Sequence, residues 1–240
     1  DVQEHEVWYT VRGWGLEGES WLVSWGKVAV EVEDLQAFKT AVDSILEFDY
    51  DKPIVLAGID SGYGKRTPEV YEITRTTQRL VCTKGRRSNI TKASDGKDDP
   101  LPKPKRIDKF PNGKAIKGGV IHYSPSTAFW KNFYFSRMRS DPPVFFLPED
   151  VDNQYQRHIE SERLVTKTSG SGKSDTFYAV RRGYRANHML DCDIINCVVH
   201  HIVKTSTSVE KLDDLIKRGK FQGGINTQTT TKERGFRKNE

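Results

Sequence analysis

The sequence predicts an α/β fold in which a mixed sheet is flanked by helices. Residues 53–59 (PIVLAGI) form a continuously apolar run of the kind that fills a buried central strand. Strand, helix and strand patterns alternate through the middle of the chain. A long apolar pattern at helical spacing occupies residues 186–203. At 240 residues the chain can bury one sizeable core, and we read one domain over 1–203 followed by a polar tail over 204–240.

Taken in order, residues 6–14 and 20–32 are rich in β-branched and aromatic side chains around a Gly-Glu turn, the pattern of an antiparallel hairpin. Residues 34–48 set Leu35, Phe38, Val42, Ile45 and Leu46 at helical spacing, with Asp34 placed to cap the start. The 53–59 strand stops at Asp60-Ser61-Gly62. After Gly64 a helix through Val70, Tyr71 and Ile73 leads to a strand at 79–83. Residues 86–117 are dense in Pro, Gly and Lys with almost no apolar periodicity, so they read as a flexible basic loop. A strand near 120–123, a helix over 126–138, a strand at 144–147, a helix over 152–161 and a β-like stretch over 164–180 follow. The last helix carries Met189, Leu190, Ile194, Ile195, Val198, Val199 and Ile202. No internal repeat is visible.

Composition narrows the function classes. A hydrophobic fraction of 35%, with five Trp, nine Tyr and eleven Phe, belongs to a folded core. No apolar run approaches the roughly 20 residues that cross a bilayer, and the first residues lack a signal-peptide pattern, so a soluble intracellular protein without a membrane partner is expected. The chain opens on an aspartate without a methionine, and we expect a piece of a longer protein. Cys82, Cys192 and Cys197 form no CxxC pair and are expected to stay reduced, which leaves zinc without its usual ligands. A formal charge of +5 and a pI near 9.0 suggest a polyanionic partner.

Three aspartates, Asp1, Asp60 and Asp191, fall where core elements present side chains at one sheet edge. Asp60 directly follows the buried strand, and in open α/β sheets ligands gather outside the carboxyl ends of strands; a simple Asp-Ser-Gly turn is the plainer alternative. Asp191 sits in an apolar helix, MLDCDIINCVV, where a carboxylate is costly to bury without a partner or a metal. Carboxylates converging from separate elements suit hard cations such as Mg²⁺ and Mn²⁺, and two such ions could hydrolyse a phosphodiester. Asp193 is a possible auxiliary ligand. Basic residues cluster in the expected loop, from Arg86 and Arg87 to Lys117, and again at Arg181, Arg182 and Arg185, where they could hold a phosphate backbone without reading sequence. The string SGSGKSD at 169–175 would be a phosphate-binding loop only with glycine at 167, where Lys167 stands, so a turn between strands is expected. His200 and His201 are read as packing residues.

The stretches DVQ, VRGWGLEGESWLV, GIDSGYG, CTKGR and RANHMLDCDIINCVV occur in an order that resembles the nuclease domain of the lambda-type, GpA-like bacteriophage terminase large subunit, across most of 1–203. The resemblance implies an RNase H-like fold and a two-metal endonuclease that cuts concatemeric double-stranded DNA during genome packaging in the host cytoplasm. It carries the acidic residues onto Asp1, Asp60 and Asp191. Lys84 is expected to approach the scissile phosphate. It also implies an ATPase domain ahead of this one, a small terminase subunit and the portal as partners; no Walker motif stands in these residues. One departure concerns the helix start, where the family's Asp-Thr-Ala-Lys reads Ser126-Thr127-Ala128-Phe129. A resolvase- or transposase-type nuclease on the same fold, and a DNA-binding module whose acids are structural, are the alternatives.

Overall fold

The computed structural model describes residues 1–31, 34–87, 99–172 and 174–206. Strands β1 (Glu6–Trp14) and β2 (Ser20–Ala29) form the expected antiparallel hairpin, with Trp8 opposite Lys27. Helix α1 (Leu35–Leu46) starts where the Asp34 carboxylate accepts the Ala37 amide at 2.8 Å, and it buries Phe38, Val42, Ile45 and Leu46. Each such side chain contributes about 1.5–3 kcal/mol when fully buried.

Strand β3 (Ala57–Asp60) is shorter than the apolar run that announced it, and a short 3₁₀ turn leads from it into α2 (Thr67–Thr76). Then come β4 (Leu80–Thr83), β5 (Lys105–Lys109) and β6 (Ala115–Tyr123). The last two pair antiparallel, so much of the expected flexible loop is a hairpin with its lysines on the outside. Its turn is set at Gly113, whose φ of 85° suits glycine. Residues 88–98, with Lys92 and Lys97 of the expected loop, lie outside the described residues.

Helix α3 (Thr127–Met138) is capped by the buried Ser126, whose hydroxyl accepts the Phe129 amide. Ser126 therefore fills the capping place that an aspartate would otherwise take. The two-residue strand β7 (Phe145–Phe146) joins β2 in parallel, and α4 (Asn153–Ile159) precedes the hairpin of β8 (Glu162–Thr168) and β9 (Ser174–Val180). Residues 169–172 turn between β8 and β9, and a strand rather than a helix begins at Ser174, so the expected turn between strands is found; Lys173 lies outside the described residues. Helix α5 (His188–Ser206) runs slightly past the expected boundary at 203; residues 207–240 lie outside the described residues. His200 stacks on Trp14 with ring centroids 4.1 Å apart, and His201 meets the edge of Trp130, as packing residues do.

The class is mixed α/β with helices on the sheets, as expected for an RNase H-like fold, but among the described residues the strands divide among three sheets. Their orders are β1-β2-β7, β3-β4-β6-β5 and β8-β9. Helix α5 crosses both β1 and β3 on one face, while α1 and α2 cover the other. Side-chain alternation along β1 follows that division: Val7 and Tyr9 join the core with Phe38 and Val70, and Trp8 joins the core with Met189 and Val198.

Candidate active site

Asp60 ends β3, paired in parallel with Thr83 of β4. Its Oδ2 accepts the Gly62 amide at 2.8 Å. A Cβ on Gly62 would lie 2.7 Å from that oxygen, so glycine there allows the carboxylate to fold back onto its own turn. Burial pushes the Asp60 carboxyl above its ordinary pKa, and the Gly62 amide and Lys84 only partly offset it.

Asp1 is tied down by its backbone and by its side chain. Its nitrogen donates to the Trp8 carbonyl at 2.8 Å and its carbonyl accepts from the Trp8 amide at 2.9 Å. The Cys192 sulfur sits 3.2 Å from the same nitrogen, which brings Asp1 beside α5. The Asp1 carboxylate accepts from Gln3 Nε2 at 3.0 Å and lies 2.6 Å from His188 Nδ1. Burial holds His188 below its usual pKa, so at neutral pH it meets the carboxylate as a neutral imidazole.

Asp191 stands in the first turn of α5, where Asn187 Nδ2 donates to Oδ2 at 2.9 Å and Lys131 Nζ lies 3.4 Å from Oδ1. Burial raises its pKa, Lys131 lowers it, and Glu162 raises it again. Glu162, at the start of β8, receives Lys131 Nζ at 2.7 Å on both oxygens and Asn187 Nδ2 at 2.8 Å. Burial alone would lower the Lys131 pKa, but Asp191 and Glu162 outweigh it and raise it. Sequence reasoning missed Lys131 and Glu162. Lys131, two residues past Phe129 and on another face of α3, is the cation that meets Asp191 and Glu162.

Asp193 lies two residues from Asp191 and therefore on a different face of α5. Its side chain is fully buried, with Oδ2 accepting from Arg12 Nη1 at 3.1 Å, Tyr134 at 2.8 Å and Tyr155 at 2.5 Å. An auxiliary ligand expected from sequence is here the acceptor of an internal polar cluster.

The basic residues divide by their contacts. Lys84 is exposed beside Asp60. Arg86 donates to the backbone carbonyls of Ser124 and Asp99, so its guanidinium holds the loop ahead of α3. Arg87 is exposed, 3.6 Å from Asp175 and over the ring of Phe177. Arg181 donates to the Glu160 carbonyl, and Arg182 and Arg185 are exposed on the approach to α5. All three cysteines are free and buried, and burial pushes the Cys82 thiol up to about 12.

The acids share an all-oxygen donor chemistry that suits Mg²⁺ or Mn²⁺, and burial raises the pKa of Asp60 and Asp191, so a divalent cation there would favour their charged forms. Among the described residues no group of three His, Cys, Asp or Glu side chains is arranged to hold a metal ion. Donor type and charge therefore fit such an ion, while the ligand cage is not assembled as the side chains stand. No helix among the described residues is long and apolar enough to cross a membrane. A family model described as the endonuclease domain of the terminase large subunit gpA matches residues 1–211. No curated protein and no solved structure matches the chain.

Proposed function

The chain belongs to the terminase large subunit gpA endonuclease family, and on that premise we propose that Asp1, Asp60 and Asp191 form the centre at which duplex DNA is cut, with Mg²⁺ or Mn²⁺ required. The observation that supports this most is the burial of the Asp60 and Asp191 carboxyls, which raises the pKa of both and which a bound divalent cation would offset. Two divalent ions bound there would supply the positive charge and the activated water for phosphodiester hydrolysis.

The protein's own residues do the positioning. His188 and Gln3 hold Asp1, the Gly62 amide holds Asp60, and Asn187 with Lys131 holds Asp191. Lys84, exposed beside Asp60, is the group we assign to the scissile phosphate. Arg87, Arg182 and Arg185 are exposed and suited to the phosphate backbone, which they would grip without sequence preference. Asp193 is left out of the ligand set because Arg12, Tyr134 and Tyr155 already use it. The setting that suits this chemistry is the cutting of concatemeric phage DNA during packaging in the host cytoplasm, with an ATPase motor, a small terminase subunit and the portal as partners. The family favours this task over a resolvase-type one.

The experiment is cleavage of supercoiled plasmid by the purified chain in Mn²⁺, in Mg²⁺ and in excess EDTA. Nicked and linear products with a metal, and none in EDTA, are expected. Equal cleavage in EDTA would remove the metal from the account, and no cleavage with either metal, despite binding to the plasmid, would favour the binding-module reading.

A further inference from the structure

Arg66 is a buried cation that the proposed cleavage chemistry does not use; its side chain is 3% exposed. A guanidinium stays charged and presents a rigid fork of N–H groups, so inside a protein each branch needs an acceptor. Those acceptors lie on separate segments of the chain. Nε donates to the Glu4 carbonyl at 3.0 Å, and Nη2 donates to the same carbonyl. Nη2 also donates to the Glu31 carbonyl at 2.7 Å, while Nη1 meets Glu69 Oε2 at 2.8 Å. The guanidinium carbon stands over the Phe38 ring of α1, 5.3 Å from its centroid.

Both ends of this contact lead to an aspartate. The Trp8 amide donates to the Asp1 carbonyl at 2.9 Å, Val2 bridges Val7 antiparallel, and the Gln3 amide donates to the Glu6 carbonyl at 2.9 Å. Glu4 therefore sits in the tight turn between Asp1 and β1, and holding its carbonyl holds that turn. Arg66 ends the short 3₁₀ turn Gly64–Arg66 that follows Asp60. Its amide donates to the Tyr63 carbonyl at 3.0 Å, and the buried Thr67 hydroxyl donates to the Ser61 carbonyl at 3.0 Å. Ser61 is in turn fixed to β4, its amide donating to the Thr83 carbonyl at 2.8 Å. Lys65 also reaches Glu4, but with its side chain 72% exposed that ion pair constrains little.

We propose that Arg66 is a positioning residue for the metal centre, an inference that rests on reading Asp1 and Asp60 as metal ligands. Its guanidinium clamps the turn that follows Asp1 to the turn that follows Asp60, and so sets the spacing of the two carboxylates. It acts through the backbone of both segments. Lysine cannot replace it, because a single nitrogen does not span the Glu4 and Glu31 carbonyls while also meeting Glu69. The spacing matters because a small divalent ion tolerates little error in ligand position, and a misplacement of about 1 Å costs about 100-fold in a working site.

The test measures Mn²⁺ binding to the purified chain from the loss of the free-ion EPR signal, together with amide exchange at Trp8, whose N–H meets Asp1. Arg66→Lys should weaken Mn²⁺ binding and speed Trp8 exchange, each at least about tenfold. Glu69→Gln removes the ion pair but keeps both carbonyl contacts; it should lower the melting temperature yet leave Mn²⁺ affinity unchanged. Losses of affinity that follow melting temperature alike in the two variants would make Arg66 merely structural and overturn the proposal. A folded Arg66→Lys protein with wild-type Mn²⁺ affinity would overturn it too. Should Arg66→Lys not fold, Thr67→Ala breaks the same chain of contacts more gently: weaker Mn²⁺ binding supports the clamp, and wild-type affinity overturns it. A wild-type protein that binds no Mn²⁺, with Trp8 exchange still faster in Arg66→Lys, would refute the metal reading and support the clamp.

Discussion

Replacing Asp193 by alanine tests whether the deepest acid of α5 is structural. The substitution leaves the Arg12 guanidinium, whose side chain is fully buried, without its counter-charge, and takes the acceptor from the Tyr134 and Tyr155 hydroxyls. Breaking a buried ion pair from one side costs about 3–5 kcal/mol, and an orphaned buried hydroxyl costs about 1–3 kcal/mol. These losses share one site and do not add, so we expect about 4 kcal/mol in all. For a domain of this size that is a fall in melting temperature of roughly 8–16 °C. The double variant Arg12→Met with Asp193→Leu removes both charges and should lose less than Asp193→Ala alone. Guanidinium unfolding of the three proteins, followed by tryptophan fluorescence, measures all of these. A single variant within 1 kcal/mol of wild type, or a double variant worse than the single, would refute the reasoning.

Two further outcomes follow from the same geometry. Burial and the nearby His188 depress the His158 pKa to about 4, so its contribution is fully present above its ordinary value of 6.5 and is lost as pH falls toward 4. Unfolding measured across that window should show a loss of roughly 3 kcal/mol that His158→Gln largely removes. Gly62→Ala sets a Cβ against Asp60 Oδ2; plasmid cleavage should drop at least about tenfold while the melting temperature moves by only about 2 °C, and unchanged cleavage would detach that turn from the site.

The legible parts of the fold were those in which one local rule decided the outcome. The β1–β2 hairpin, α1 and α5 announced themselves through alternation or helical spacing, and Asp60 through the abrupt end of an apolar run. The β5–β6 hairpin was hidden because Ile107 is the one inward apolar residue of β5 and lysines surround it. The Asn112-Gly113 pair between Ile107 and Ile116 was the available sign of a hairpin. Lys131 and Glu162 could not be paired from sequence, since they meet only when β8 passes α3. Asp191 and Asp193 look alike in the sequence; the 200° between them on a helix sends one toward Lys131 and the other toward Arg12.

Asp60→Asn tests the central claim most directly, measured as plasmid cleavage in Mn²⁺ at a protein concentration that gives the same plasmid binding as wild type. Burial raises the folded pKa of Asp60, so the stability that the protonated carboxyl confers is lost as pH rises through that pKa. Asparagine carries no such loss, and the variant should be at least as stable as wild type at pH 7. The account predicts a folded, DNA-binding protein whose cleavage falls by at least about 100-fold. Cleavage at the wild-type rate by a folded Asp60→Asn protein would contradict it.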